Sequence, residues 1–340
     1  MTSRDRIRTI IGGAPADRCG FWLGNPHPTS LPALYAYFGV DDLERLHRKL
    51  GSDLRWLSPQ LTASVYRHPG GKGLFDIGQH KRSHAEEGPL ASCTTVREIE
   101  SYEWPDPLYL DFSESLRELT AAGDHYRASG FWMPFFHDVI DLLGFEPLMM
   151  AMHDRGEIVH AVCEQVCGFY LDANERFFAA APGMVDATFF GNDFGTQRDL
   201  LISEAHFDEF FLPWIRRFAE QGRRHGLQVM MHSCGSVHRI IDRLIDAGVH
   251  CLHPLQALAQ GMDAGSLVRR FGGRMSFLGG IDTQELLRRG TPAAIREEVR
   301  RLHGSFGARW IASPSHEALL PDIPPGNIAA MAEAVFDLFS

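Results

Sequence analysis

LQVMMHSCGSVHRIIDRLIDAGVHCL (residues 227–252) spans one complete repeat of strand, turn, helix and next strand. LQVMM is an apolar run of buried-strand length, and HSCG reads as the turn after it. Val237, Ile240, Ile241, Leu244 and Ile245 then recur at helical spacing until Gly248 stops the helix, and Ser236 is the expected N-cap. VHCL opens the following strand. Upstream, Phe207, Phe210, Phe211, Trp214, Ile215 and Phe218 form one apolar face of a helix expected over 203–225, which Gly226 ends. Downstream, MSFLGGID (275–282) and RWIASPSH (309–316) are further strands, separated by a helix that Thr291 and Pro292 open. Strand starts near 227, 249, 275 and 309 give units of 22, 26 and 34 residues. That is the period of βα units around a parallel sheet, and a chain of 340 residues built so suggests a (β/α)8 TIM barrel. A doubly wound open sheet has the same period and remains the competing topology.

The first half is less regular. CGFWLG (19–24), DLRWL (53–57), GFWMPFF (130–136) and MVDATFFGND (184–193) are the expected first four strands. Residues 67–107, rich in glycine, proline and charge, read as a hairpin-bearing insertion within one barrel domain, and His80 and His84 fall in a solvated loop there.

Composition narrows the function. Asp plus Glu number 43 against 33 Lys plus Arg, a formal charge of -10, which disfavours a phosphate-backbone partner. No window has the roughly 18 apolar residues of a membrane helix, and MTSRDRIRTI is charged where a signal sequence is apolar, so a cytoplasmic protein is expected. Six cysteines are sparse for this length and read as thiols.

In a βα barrel the chemistry lies at the carboxyl ends of the strands. There the sequence places Asn192 and Asp193, His232 and Cys234, His253 and Gln256, Asp282 and Gln284, and finally Ser315, His316 and Glu317. His232 and Cys234, two apart across a tight turn, can aim an imidazole nitrogen and a thiolate at one ion, a mixture zinc accepts. His316, 82 residues past Cys234, is the expected third donor. The competing reading is packing, because free cysteine at a strand end is commonly buried. Cys163 and Cys167, spaced i, i+4, read as one face of a core helix. Gly279 and Gly280 form no dinucleotide fingerprint.

NDFGTQ (192–197), HSCGSV (232–237), LHPLQ (252–256), the segment 261–299 and SPSHEALLPDIPPGNIAAMAEAV (313–335) together resemble the uroporphyrinogen decarboxylase superfamily. The opening SRDRIRTIIGGAPADR is similar to that superfamily's first helix, an N-terminal extension to the barrel. The resemblance implies a single (β/α)8 barrel and one of two chemistries. The metal-free decarboxylases hold their substrate's carboxylates with an arginine-rich segment, where this chain reads CGFWLGNPHPTS with no arginine. The zinc-dependent, corrinoid-linked methyltransferases carry His-x-Cys and a distant second cysteine; His232 and Cys234 match, but the second cysteine is replaced within SPSHEALLPD.

The resemblance therefore implies zinc on His232, Cys234 and His316, and a cobalamin carried by a separate corrinoid protein docking over the mouth. Asp193, Gln197 and Gln256 would line the substrate pocket, and Asp282 and His316 would orient groups or move protons. Small-molecule substrates and a homodimer are expected. The alternatives are a metal-free decarboxylase or lyase acting on a small carboxylic acid, and a binding protein that retains the pocket. Phe21, Trp22, Trp132, Phe135 and Phe136 either face the mouth or pack the core.

Overall fold

Among the described residues eight short strands, all parallel, alternate with helices: β1 (Gly20–Phe21), β2 (Leu54–Leu57), β3 (Tyr126–Ser129), β4 (Ala187–Gly191), β5 (Gln228–His232), β6 (Cys251–His253), β7 (Ser276–Ile281) and β8 (Trp310–Pro314). The computed structural model describes residues 1–59, 65–76 and 88–338. Pairing runs β1-β8-β7-β6-β5-β4-β3-β2, and the ring closes through Asp53, whose N–H donates to Phe21 O at 2.7 Å. The result is a single (β/α)8 barrel, which excludes the open sheet. No helix among the described residues is long and apolar enough to cross a membrane.

Side chains alternate along each strand, and the inward set fills the barrel. Leu54, Tyr126, Ala128, Ala187, Phe189, Met230, Cys251, Leu278 and Ile311 pack with Trp22 into one interior cluster. Helix Ser3–Ile11 adds Ile7, Ile10 and Ile11 to that cluster, so the N-terminal extension plugs one end and leaves the carboxyl ends as the mouth.

Asp53 holds the β1–β2 seam as well as the plug. Its carboxylate is fully buried, accepts Phe21 N–H at 3.0 Å, and receives Arg6 at 2.7 Å and Arg18 at 2.8 Å. Asp186, also fully buried, plays the same part beside β4, pairing with Arg4, Arg8 and Arg127.

Three sequence expectations change. The third strand is YRAS (126–129), not GFWMPFF: Arg127 gives the strand a polar look, but its outward side chain is neutralised by Asp186. GFWMPFF instead leaves β3 as a loop and enters helix Phe135–Leu143. The helix expected over 203–225 forms from Glu204, capped by Ser203, but carries a π turn at Phe207–Phe211 ahead of helix Leu212–Arg224. Pro213 has no N–H to donate, and a widened turn accommodates its ring. Ser236 is not an N-cap: its hydroxyl donates to Gln260 O at 2.7 Å, and the helix begins only at Ile241.

Other expectations hold. Thr291 caps helix Pro292–Phe306, and Cys163 and Cys167 are buried on helix Gly156–Ala180. An isolated antiparallel bridge, Tyr66–Leu110, flanks the 67–107 segment, whose described residues include a helix, Val96–Glu100, with a Thr95/Glu98 capping box. His80 and His84 lie outside the described residues.

Asp53→Ala leaves Arg6 and Arg18 without their buried counter-charge and opens the seam, and is expected to cost about 3–5 kcal/mol. Urea unfolding measures this; a loss below about 1 kcal/mol, the worth of a surface ion pair, would contradict the assignment.

Candidate metal centre at the barrel mouth

Two glycines bring the loops after β4 and β5 into contact. A Cβ on Gly195 would lie 2.7 Å from Cys234 O, and one on Gly235, whose φ is +79°, would lie 2.4 Å from Gly195 O. Ser236 N–H donates to Thr196 O at 2.7 Å, and Phe194 N–H to Ser233 Oγ at 3.1 Å. This backbone-to-backbone approach sets Asp193 against Cys234, whose N–H donates to Asp193 Oδ1 at 2.9 Å. The loop after β1 fixes the opposite wall: Asn25 N–H donates to Glu317 O at 2.8 Å, and a side chain on Gly24 would strike that same carbonyl.

At the centre stands His232, the last residue of β5 and 4% exposed. Its Nε2 lies 3.3 Å from Cys234 Sγ and 3.2 Å from Asp193 Oδ1. Its Nδ1 lies 3.0 Å from His253 Nδ1 and 3.5 Å from Glu317 Oε2. Two compact donor groups thus share one imidazole: Asp193, His232 and Cys234 on one side, His232, His253 and Glu317 on the other.

The electrostatics are those of a site short of positive charge. Burial opposes protonation of His232, but Glu317, Cys234 and Asp193 outweigh it and hold its pKa well above the usual imidazole value. On Asp193 burial acts the opposite way, raising its pKa, yet His232 and the Cys234 N–H pull its carboxyl below the ordinary range. Burial pushes the Cys234 thiol up, against His232. Burial, then His232 and His316, keep His253 neutral by lowering its pKa. Glu317 Oε2 and His253 Nε2 are buried without a hydrogen-bond partner among the described residues.

A divalent cation meets these conditions. Zinc bonds of about 2.0–2.3 Å in a tetrahedron separate donors by about 3.3–3.7 Å, close to the spacings around His232 Nε2. A bound cation also inverts the local pKa order, favouring the thiolate that the metal-free site disfavours.

The other expected site residues divide. The His316 ring stands 6.3 Å from that of His232, and its Nδ1 accepts Ala318 N–H at 3.1 Å, outside both compact groups. Gln197 Nε2 donates to Gln256 Oε1 at 3.2 Å, and that oxygen also accepts Gly235 N–H at 3.1 Å, bracing the rim beside Cys234. The Asp282 carboxylate accepts the N–H groups of Gln284, Glu285 and Leu286, so it caps a turn. Of the five aromatics, Phe21, Trp22, Phe135 and Phe136 are core; Trp132 alone is half-buried, 5.2 Å from the His232 ring and 4.6 Å from Trp56. His253 and Glu317 received no role from the sequence, although both follow the rule that strand ends carry the chemistry.

A sequence model described as Uroporphyrinogen decarboxylase (URO-D) matches residues 80–338. The chain belongs to the uroporphyrinogen decarboxylase family. A uroporphyrinogen decarboxylase of Danio rerio is 26% identical over 216 residues, 58% of this chain and 57% of that enzyme, so the likeness spans little more than half its length. A solved structure of a methyltransferase from Methanosarcina mazei superposes over 100% of both chains with a TM-score of 0.71 at 16% identity, a likeness of fold. Uroporphyrinogen decarboxylase family membership and the barrel agree with the resemblance drawn from the sequence.

In the metal-free protein, protonated His232 contributes stability that is fully present below the ordinary imidazole pKa of about 6.5 and is lost as pH rises through the raised value. Denaturant midpoints of metal-free protein are therefore expected to fall on the alkaline side, and His232→Gln to flatten that fall. Superimposable pH profiles for the two proteins would contradict the charge balance described above.

Proposed function

We propose that this barrel is a zinc-dependent methyltransferase that moves a methyl group between a small thiol or methylated heteroatom and a corrinoid carried on a separate protein. The observation that carries this reading is the convergence of His232 Nε2, Cys234 Sγ and Asp193 Oδ1 at the barrel mouth. His232 and Cys234 would hold the zinc, which when bound supplies Lewis acidity to activate a thiol or improve a leaving group.

The chain's own residues shape the rest. Trp56 and Trp132 give the mouth an apolar wall beside His232. A cleft of ≈ 460 Å³ bordered by Gln256, Gln284, Arg288, His316 and Leu320 would take the body of the substrate, and Gln197 braces Gln256 there. Because His316 Nδ1 accepts Ala318 N–H, the neutral ring carries its proton on Nε2 and would donate a hydrogen bond to an anionic substrate.

Charge favours this reading over tetrapyrrole decarboxylation. Asp193, Cys234 and Glu317 face one buried imidazole, which suits a cation and repels a polycarboxylate. The loop after β1, GNPHPTS, supplies no arginine to offset them. The full-length likeness to the Methanosarcina mazei methyltransferase supports the class at the level of fold.

The test combines metal analysis with methylcobalamin turnover across a panel of thiols. We expect about one zinc per chain, thiol-dependent loss of the methylcobalamin spectrum, and neither in Cys234→Ala. Release of carbon dioxide from a small carboxylic acid by metal-free protein, with no methyl transfer, would replace this reading by the lyase.

A further inference from the structure

His232 presents each ring nitrogen to a different donor group, and a neutral imidazole can give only one lone pair to a metal. Ligation through Nε2 puts the ring proton on Nδ1, and the reverse holds for ligation through Nδ1. The surroundings choose between them. On the Nε2 side lie a thiol and a carboxylate near the surface, with the Asp193 side chain 42% exposed. On the Nδ1 side the partners are enclosed: His253 is 1% exposed and packs 5.2 Å from the Trp22 ring and 5.6 Å from that of Phe189. The Glu317 side chain is 16% exposed, and its Oε2 is buried beside Nδ1 with no hydrogen-bond donor among the described residues. Two acceptors, His253 Nδ1 and Glu317 Oε2, thus await a proton on His232 Nδ1.

We propose that the third metal ligand of this chain is Asp193, completing an Asp193–His232–Cys234 set, and that His253 and Glu317 are positioning residues that hold His232 with Nε2 free for the metal. The inference rests on the metal reading of the mouth and changes its ligand set. Asp193 takes the place that the family resemblance gave to His316.

Three observations carry it. Asp193 Oδ1 is already anchored by the N–H of Cys234, so two of the donors are tied to one another before a metal arrives. The Gly195–Gly235 contact fixes the separation of the two loops that bear them. Charge closes the argument: a thiolate, a carboxylate and a neutral imidazole sum to the charge that balances a dication, whereas a set with two histidines leaves the ion one positive charge in excess. His316 meets none of these conditions, since its Nδ1 is taken by Ala318 N–H and its ring stands perpendicular to His232 at 6.3 Å.

The experiment loads the full chain with cobalt(II) and reads both affinity, by competition with a chromophoric chelator, and the sulfur-to-cobalt charge-transfer band. Wild type is expected to show the band. Asp193→Asn should keep the fold and lose at least about 100-fold in affinity, while His316→Ala leaves affinity unchanged. Glu317→Gln should lower affinity about 10- to 100-fold with the band unshifted, the mark of a group acting through His232. Asp193→Cys adds a thiolate at the same position and should intensify the band, a gain that misfolding cannot mimic. Retained affinity in Asp193→Asn with loss in His316→Ala would overturn the assignment while leaving the metal reading intact. A metal kept by Cys234→Ala but lost in Glu317→Gln would place the ion on the Nδ1 side and overturn it equally. Failure of wild type to bind cobalt or zinc would remove the metal reading and this inference together.

Discussion

One buried imidazole between a thiol and two carboxylates governs the mouth of this barrel. His232 cannot move away, because it ends β5 and is paired on one side to β4 and on the other to β6. The glycine contacts at 195, 235 and 24 set the backbone of the loops that carry Asp193 and Glu317, and the Cys234 N–H holds Asp193 Oδ1. So much negative charge around so little exposed surface is costly unless a cation joins it, and protonated His232 is the cation the chain itself supplies. A divalent metal would perform that task better and at the same time free the imidazole as a ligand.

The barrel makes this concentration of charge tolerable by separating stability from chemistry. The far end is closed by the helix Ser3–Ile11, its isoleucines packed into the interior and its arginines paired with Asp53 and Asp186. Between the two ends lies a layer of apolar side chains drawn from every strand from β2 to β8. Strand ends at the mouth are thereby left to carry polar residues.

Much of this was legible in the sequence because the later repeats are regular. From residue 200 onward, apolar runs and helical spacing placed β5 to β8 correctly, and the position rule for barrels then singled out His232, Cys234, His253 and Glu317 as rim residues. Where a strand buries an ion pair on its outer face, the pattern fails: Arg127 disguised β3, and the apolar GFWMPFF beyond it took its place. Asp193 was read as a pocket residue because its tie to Cys234 depends on two glycines forty positions apart meeting back to back, which no local pattern reveals. Asp282 was read as a group that orients a ligand or accepts a proton, and its carboxylate also accepts three backbone N–H groups, a local tie the sequence pattern does not reveal.

The most direct test of the central claim, that the mouth holds a divalent metal on His232 and Cys234, is anomalous diffraction at the zinc absorption edge from crystals of the full chain grown with zinc. The account predicts one strong peak among His232 Nε2, Cys234 Sγ and Asp193 Oδ1. No peak at the mouth, with zinc bound only at surface histidines, would contradict it and return His232 and Cys234 to the role of packing and pocket residues.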